Sequence, residues 1–294
     1  MAEINLSLLP APNVIEVLSF EDILAQMKAA AIALMPELEP VLALESEPAT
    51  KVLQVGAAFV LLTRARVNDA AKSVMLAYAT GGDLDQLAAL YGVQRLVITP
   101  ANPLANPPVV EALETDDALR ARVQLAPEAF STAGPIQGYE FHARSASGQV
   151  RDVAVSSPSP GMVQVVVQSA TGSGVPSAAL LNTVFEALSD ETVRPLCDNV
   201  VVVGVDVVTY QVIASIEVMS GPDPSVVLQN AQAALAKYTS DQHRIGRAVR
   251  LSGIYAALHQ TGVTQVNLTS PLADIEPTKV QTARCTAMTV TLAT

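Results

Sequence analysis

Apolar residues recur at helical spacing through the first hundred positions of the chain. Ile23, Met27 and Leu34 lie on one face of a predicted helix. Ser19 precedes this helix and is a suitable N-cap residue. The acidic side chains that follow it favour the positive end of a helix. Pro36 ends the apolar run. The pattern therefore predicts one amphipathic helix between these two signals.

A second and longer helix is predicted from about Pro48 to Ala79. About 30 residues at 1.5 Å each give a rod of roughly 45 Å, a length typical of bundles and assembly proteins. One apolar stripe along it consists of Val52, Val55, Phe59 and Leu62. Residues 1–98 alone are too few to cover this stripe, so we expect it to form a protein interface.

Glycines end the long helix and delimit a shorter one. Thr80-Gly81-Gly82-Asp83 is predicted to break the rod, and a short helix follows from Leu84 until Gly92. Asp83 and Asp85 flank Leu84 and invite a metal or acid–base interpretation. Their position favours capping of the short helix instead.

The rest of the chain alternates between helical and strand patterns. Residues 99–110, TPANPLANPPVV, hold four prolines and no charge, which predicts a stiff linker. Helices are predicted at 113–125, 135–147, 177–189, 224–238 and 249–260, and strands at 150–156, 162–168, 200–205, 208–220, 263–269 and 285–293.

These patterns predict an α+β fold in four parts. An N-terminal arm, residues 1–18, and the helical module occupy 1–98, and the Pro-rich linker with a connecting helix occupies 99–130. Two small α/β lobes with mixed sheets follow at 131–206 and 207–294. The lobes are predicted to be related because Phe141-His142-Ala143 and the strand after it align with Ile254-Tyr255-Ala256 at a constant offset of 113. Coincidence in a sequence rich in Val and Ala is the alternative.

Composition narrows the classes of function. Apolar residues make up 50 % of the chain and charged residues 15 %, and the formal net charge is −11. This sign argues against nucleic-acid binding and against an anionic membrane surface. The first fifty residues contain eight acids and one base, so we expect the segment 16–47 to face a basic partner or solvent. There is no Trp and aromatic residues are 4 %, which favours an architectural role over a small-molecule pocket.

Residues that could carry chemistry are few. Cys197 and Cys285 lack metal-ligand spacing and are expected to be core thiols of a protein made in a reducing cytoplasm. His142, His243 and His259 have no second His or Cys at ligand spacing, and none of the motifs GxSxG, HExxH, SxxK and GxxxxGK(S/T) occurs. We therefore expect no catalytic, cofactor-binding or metal site, and no enzyme activity.

Two further segments have alternative interpretations. Gly172–Ser177 lies between a strand and a helix, as a dinucleotide-binding loop would. Pro176, however, removes an amide donor where the phosphates would bind, so a tight turn is favoured. Arg194 and Asp198 are expected to form a salt bridge or a helix cap.

At larger scale the chain resembles the baseplate J-like family, the baseplate wedge proteins of contractile-tailed bacteriophages. The resemblance covers roughly residues 10–294 and is carried by the order of several segments rather than by one of them. These segments are ATGGDLDQLAALYGVQR (79–95), STAGPIQGYEFHARSASGQVRDVAVSSPSPGMVQVVVQS (131–169), ETVRPLCDNVVVV (191–203) and RIGRAVRLSGIYAALHQTGVTQVNLTSP (244–271).

The resemblance implies a non-enzymatic virion structural protein that joins wedges into a six-fold ring around the tail hub. It implies contacts with other copies of the chain, including a dimer within each wedge, with a second wedge protein through a helical bundle, and with hub and sheath-proximal baseplate proteins. The protein would be assembled in the host cytoplasm and reside in the virion tail baseplate. Many relatives carry a β-rich insertion that is absent here, so its contacts are not carried over.

Two alternatives to this function are open. One is a baseplate component of a phage-derived injection device, of the tailocin or secretion-system type. The other is a nucleotide- or carbohydrate-binding enzyme domain that uses Gly172–Ser177.

Overall fold

The computed structural model describes residues 6, 9, 10, 12–131, 134–221 and 223–293. Much of the predicted arm, at residues 1–5, 7, 8 and 11, and residues 132 and 133 of the quoted 131–169 segment lie outside the described residues, as do 222 and 294. The chain forms two compact units, Met1–Gln94 and Arg95–Thr294. The first is helical and the second contains both helices and small mixed sheets, so the predicted α+β class is confirmed.

The first unit is built around a pair of packed helices. Its helices are α1 (Phe20–Leu34), α2 (Glu39–Leu42), α3 (Pro48–Ser73) and α4 (Gly81–Ala89). Ile23 and Leu24 of α1 pack against Ala57 of α3, and Met27 and Leu53 complete this small core. As predicted, the Ser19 hydroxyl caps α1 by accepting a hydrogen bond from the Asp22 backbone N–H at 3.2 Å.

The arm that precedes α1 is fixed to α3 by a side-chain amide. Asn68 is buried and donates from Nδ2 to the Glu16 carbonyl at 2.9 Å, while its Oδ1 accepts from the Glu16 N–H at 3.1 Å. This pairing satisfies both backbone groups as a strand partner would. The backbone at residue 16 is thereby held against α3.

Two helix boundaries in this unit differ from the prediction. α3 ends at Ser73 rather than near Ala79, and tighter turns follow it, in which the Met75 N–H bonds to the Lys72 carbonyl and the Tyr78 N–H to the Met75 carbonyl. α4 begins already at Gly81, so Asp83 lies in its first turn instead of capping it. An acid there favours the helix through the charge at its N-terminal end.

The second unit begins with a β-hairpin where a stiff linker was expected. β1 (Val97–Thr99) pairs antiparallel with β2 (Ala112–Leu113), and Asn102 and Val109 exchange both backbone hydrogen bonds between them. The prolines therefore occupy the turn end of a hairpin, where their missing N–H groups cost little. Leu104, near the tip, is 95 % exposed.

A connecting helix and the first lobe follow the hairpin. The elements are α5 (Asp116–Leu125), α6 (Ile136–Ser145), β3 (Val150–Ser156), β4 (Met162–Ser169), α7 (Ala178–Ser189) and β5 (Asn199–Gly204). β4 is the central strand, antiparallel to β3 and parallel to β5. Val165 and Val167 of β4 are fully buried against Tyr139 of α6 and Val184 of α7. The near-continuous valine run of β4 is what a strand covered by helices requires.

The second lobe repeats this sheet with a different chain path. Its elements are β6 (Asp206–Val218), α8 (Pro224–Gln242), α9 (Leu251–Leu258), β7 (Val263–Ser270) and β8 (Gln281–Leu292). The central strand β6 is antiparallel to β7 and parallel to β8. Its inward residues Val212 and Ile216 pack against Leu235 of α8 and Ile254 of α9.

The two lobes correspond element by element, although their connections differ. α6 and β3 match α9 and β7 at the predicted offset, and in each lobe they supply a helix followed by the antiparallel edge strand. In the first lobe this pair precedes the central strand, whereas in the second it follows it. A single residue, Val205, separates β5 from β6, so the chain passes directly from one sheet to the other.

Candidate assembly surface

Helix α3 has two apolar faces, and only one of them is covered within the first unit. Leu53 and Ala57 face α1, and Thr50 is also buried. The predicted stripe of Val52, Val55, Phe59 and Leu62 lies on the opposite side, since at about 100° per residue its mean direction is about half a turn away. The apolar face of α3 formed by the stripe is therefore not covered by α1.

All four stripe residues are strongly exposed in the single chain. Their exposed fractions are 70 % for Val52, 57 % for Val55, 66 % for Phe59 and 64 % for Leu62. Complete burial of such side chains stabilises by about 1.5–3 kcal/mol each. With about two thirds of each side chain still to be covered, a partner that buries the stripe would gain roughly 4–8 kcal/mol before the costs of association.

The glycine-rich segment Gly172–Ser177 serves as the turn between β4 and α7. The Ser177 hydroxyl caps α7 by accepting from the Leu180 N–H at 3.2 Å. Gly174 adopts φ +95°, and a Cβ there would lie 3.2 Å from Nε2 of His243. Gly174 thus suits its positive φ and a close approach to the second lobe, and Ser177 serves as the cap of α7.

The three histidines have separate structural surroundings. His142 on α6 is half-buried, and burial lowers its pKa. His243, just after α8, has Nδ1 2.9 Å from the Ala283 carbonyl, and its pKa is lowered mainly by burial. His259 is exposed at the end of α9. Within the described residues, no group of three or more His, Cys, Asp or Glu side chains could hold a metal ion.

Asp198 and Cys197 differ from the sequence expectation. Asp198 accepts a hydrogen bond from the Tyr139 hydroxyl at 2.8 Å, which ties the α7–β5 loop to α6, where a salt bridge or helix cap was expected. Burial and this carboxylate raise the pKa of Tyr139. Cys197 is exposed on the same loop and is not a core thiol, whereas Cys285 is partly buried in β8 and burial raises its thiol pKa.

A polar network at the junction of the two lobes was not predicted. Asp152 of β3 is buried and accepts from the Arg144 guanidinium at 2.7 Å and from the Ile245 N–H at 2.9 Å. Gln168 donates to the His243 carbonyl at 3.3 Å. These partners are separated by up to 93 residues. In the sequence, the feature that could have indicated this network is the charged pair Arg151-Asp152 in an otherwise apolar predicted strand.

None of the helices formed by the described residues is both long enough and apolar enough to cross a membrane.

Comparison with known proteins gives matches along most of the chain. Residues 45–102 match the Baseplate J-like N-terminal domain, residues 131–204 the Baseplate J-like central domain, and residues 210–291 the Baseplate J-like protein C-terminal domain. The chain is also similar to Baseplate protein J of Escherichia phage P2. The two are 45 % identical over 291 residues, which cover 97 % of this chain and 96 % of the relative.

Proposed function

Since this chain belongs to the baseplate J-like family, we propose that it is a structural component of a contractile phage tail baseplate wedge. In this role it joins wedges into a six-fold ring around the tail hub and performs no enzymatic step. It resides in the virion tail baseplate and is assembled in the host cytoplasm. The division into a helical module (1–98), a connecting segment (99–130) and two lobes (131–206 and 207–294) is part of the proposal.

The proposed partners are all proteins. They are other copies of the chain, including a dimer within each wedge, a second wedge protein that enters a helical bundle, and the hub and sheath-proximal proteins. The net charge of −11 supports partners other than nucleic acid or an anionic membrane.

The uncovered apolar stripe of α3 is the observation that carries this proposal. Four large apolar side chains, each more than half exposed, follow one face of a 26-residue helix whose other face already has a core. A soluble protein keeps such a contiguous patch when another protein covers it. A partner helix fits this shape because side chains three and four residues apart form the ridges that helices interlock.

Phe59→Asp tests the role of the stripe. Because the Phe59 side chain is exposed in the single chain, we expect the variant to fold with an unchanged circular dichroism spectrum. A buried charge at a helical interface is costly, so incorporation into tail particles should be abolished. The measurement is the amount of the protein in purified particles from a host that supplies only the variant.

Leu90→Asp provides the matched control. Leu90 is 78 % exposed and lies at the end of α4 in the same unit. Leu90→Asp therefore introduces the same charge at an exposed apolar position outside the stripe. Particles containing normal amounts of the Phe59→Asp protein would contradict the assignment of the stripe to an interface.

The two alternative functions have separate tests. A component of a phage-derived injection device would use the same α3 interface, and a reconstruction of the intact particle distinguishes it from a phage part. A nucleotide-binding domain would retain stoichiometric nucleotide in the purified protein. The structural duties of Ser177 and Gly174 favour the turn interpretation over this last alternative.

A further inference from the structure

A cleft rich in arginine lies within the second unit. It has a volume of about 370 Å³ and lies where the β1–β2 hairpin, α5, β3 and the end of α8 meet. Arg122, Arg144, Arg151 and Arg244 line it, and Leu96 and Ile98 form an apolar wall. Three carboxylates, those of Glu114, Asp117 and Asp241, also line the cleft, so its lining carries one positive charge more than negative charges in a chain whose net charge is −11.

The carboxylates in and beside the cleft already have cationic partners. The ion pairs are Glu114–Arg122 at 2.7 Å, Asp117–Arg120 at 2.7 Å, Asp152–Arg144 at 2.7 Å and Asp241–Lys237 at 2.9 Å. None of them includes Arg151 or Arg244. Both carboxylate oxygens of Asp152 are also occupied, since one accepts from Arg144 and the other from the Ile245 N–H.

Arg151 and Arg244 therefore form none of these ion pairs, although Asp152 and Asp241 lie near enough to Arg151 to act on its charge. Arg151 donates to the Ser240 backbone carbonyl at 3.0 Å, which is a neutral acceptor. The Arg244 guanidinium has no hydrogen-bond partner among the described residues. Burial lowers the pKa of Arg151, and the neighbouring Arg244 lowers it further, while Asp152 and Asp241 offset part of this effect. An anion bound between them would remove this repulsion.

The first unit carries an exposed segment with complementary chemistry. Between Lys28 and Lys51 there are four glutamates, at 37, 39, 45 and 47, and no basic residue. They lie in the segment 36–47, where the first three are exposed. Leu44 in the same segment is 53 % exposed and offers an apolar group to the wall of the cleft.

We propose that the glutamates of segment 36–47 of one copy bind Arg151 and Arg244 in the cleft of a second copy. Carboxylates and guanidinium groups form paired, charge-assisted hydrogen bonds, which fix orientation as well as adding affinity. The contact joins different faces of two copies, and such heterologous contacts generate rings. The inference rests on the proposed function only in placing copies of the chain side by side.

A peptide of residues 33–49 tests the cleft directly. Titration of the labelled peptide with the full chain, followed by fluorescence anisotropy, should give saturable binding that weakens as salt rises. Arg151→Gln with Arg244→Gln should weaken binding at least tenfold, since charge-assisted bonds are lost. The control, Arg247→Gln with Lys279→Gln, removes the same charge from exposed residues that do not line the cleft. Equal binding by both double variants, or by a peptide with glutamine at all four positions, would overturn the proposal.

Mixing two full-length variants tests the identity of the partner. One carries Arg151→Gln with Arg244→Gln, and the other carries Glu37→Gln, Glu39→Gln, Glu45→Gln and Glu47→Gln. In sedimentation velocity the mixture should form a larger species than either variant alone, because each variant supplies what the other lacks for this contact, whereas any association through the α3 stripe is common to all samples. Absence of this larger species would overturn a second copy as the partner. A second result would also overturn it, namely that the 33–49 peptide binds only to the variant that lacks the four glutamates. In that case the segment would occupy the cleft of its own chain. Particle incorporation of Phe59→Asp is a separate measurement, so failure here leaves the proposed function standing.

Discussion

The buried ion pair Glu114–Arg122 allows a quantitative test of what holds the second unit together. Arg122 donates to the two Glu114 oxygens at 2.8 and 2.7 Å, and it also donates to the Ser145 hydroxyl at 3.1 Å. Glu114 accepts a further bond from the Leu96 N–H at 3.2 Å. The pair therefore connects the base of the hairpin, α5 and the end of α6. Both side chains are more than nine-tenths buried.

Arg122→Met removes the cation and leaves the Glu114 carboxylate buried. Loss of one partner of a buried pair costs about 3–5 kcal/mol, because the remaining charge is uncompensated. For a unit of this size, 1 kcal/mol shifts Tm by about 2–4 °C, so we expect a decrease of roughly 6–20 °C. Addition of Glu114→Gln removes the stranded charge and keeps an acceptor for Leu96. The double variant should recover at least half of the lost stability.

Urea unfolding of the full chain, followed by circular dichroism, gives the free energies. Lys237→Met is the control, since it breaks an ion pair with Asp241 in which both side chains are exposed, by 78 % and 54 %. Such exposed pairs contribute less than about 1 kcal/mol. The reasoning is refuted if Arg122→Met costs no more than the control, or if the double variant is as unstable as Arg122→Met.

Two further predictions concern the second lobe. The pKa of His243 is lowered in the folded chain, mainly by burial. Around and below the ordinary histidine pKa of 6.5, this side chain therefore binds more protons in the unfolded chain than in the folded one. The unfolding free energy should therefore fall as pH decreases from about 7.5 to 5.5, and His243→Gln should flatten this slope relative to the exposed control His259→Gln. A Cβ at Gly253 would overlap the Tyr238 hydroxyl, which bonds both backbone groups of the residue before α9. Gly253→Ala should cost about 1–3 kcal/mol in urea unfolding, and an unchanged midpoint would contradict the contact.

Local patterns were sufficient to predict most elements of the fold. The helix at 178–189 and the strand at 150–156 follow from short-range periodicity, since each buries one face against its own lobe. The prolines of 99–110 predicted a stiff linker because proline restricts the backbone locally. The hairpin found there depends on the pairing of Val97 with Leu113, which lies outside the proline-rich segment. The exposure of the Phe59 stripe agrees with the apolar pattern, and the interface proposed for it stays a prediction.

Contacts that depend on distant residues could not be predicted in the same way. β6 and β8 pair in parallel, and the residues of each pair, such as Asp206 and Gln281, are far apart in sequence. Arg151 and Arg244 line one cleft only because the two lobes fold against each other. A charged residue in a predicted strand indicates a position that is either exposed or paired with another charge. It does not indicate which residue is the partner.

The single residue between β5 and β6 has a mechanical consequence. The Val205 N–H still bonds to Val167 of the first sheet, and the Asp206 N–H already bonds to Val280 beside the second. Tension along the chain at this point acts parallel to the strands and hence across the hydrogen bonds of two ladders, β4–β5 and β6–β8. Bonds loaded in this shear direction share the force and must break together, whereas a hairpin pulled from its open end loses them one by one. Extension of the chain at Val205 therefore requires the hydrogen bonds of a whole ladder to break at once, in one sheet or in the other.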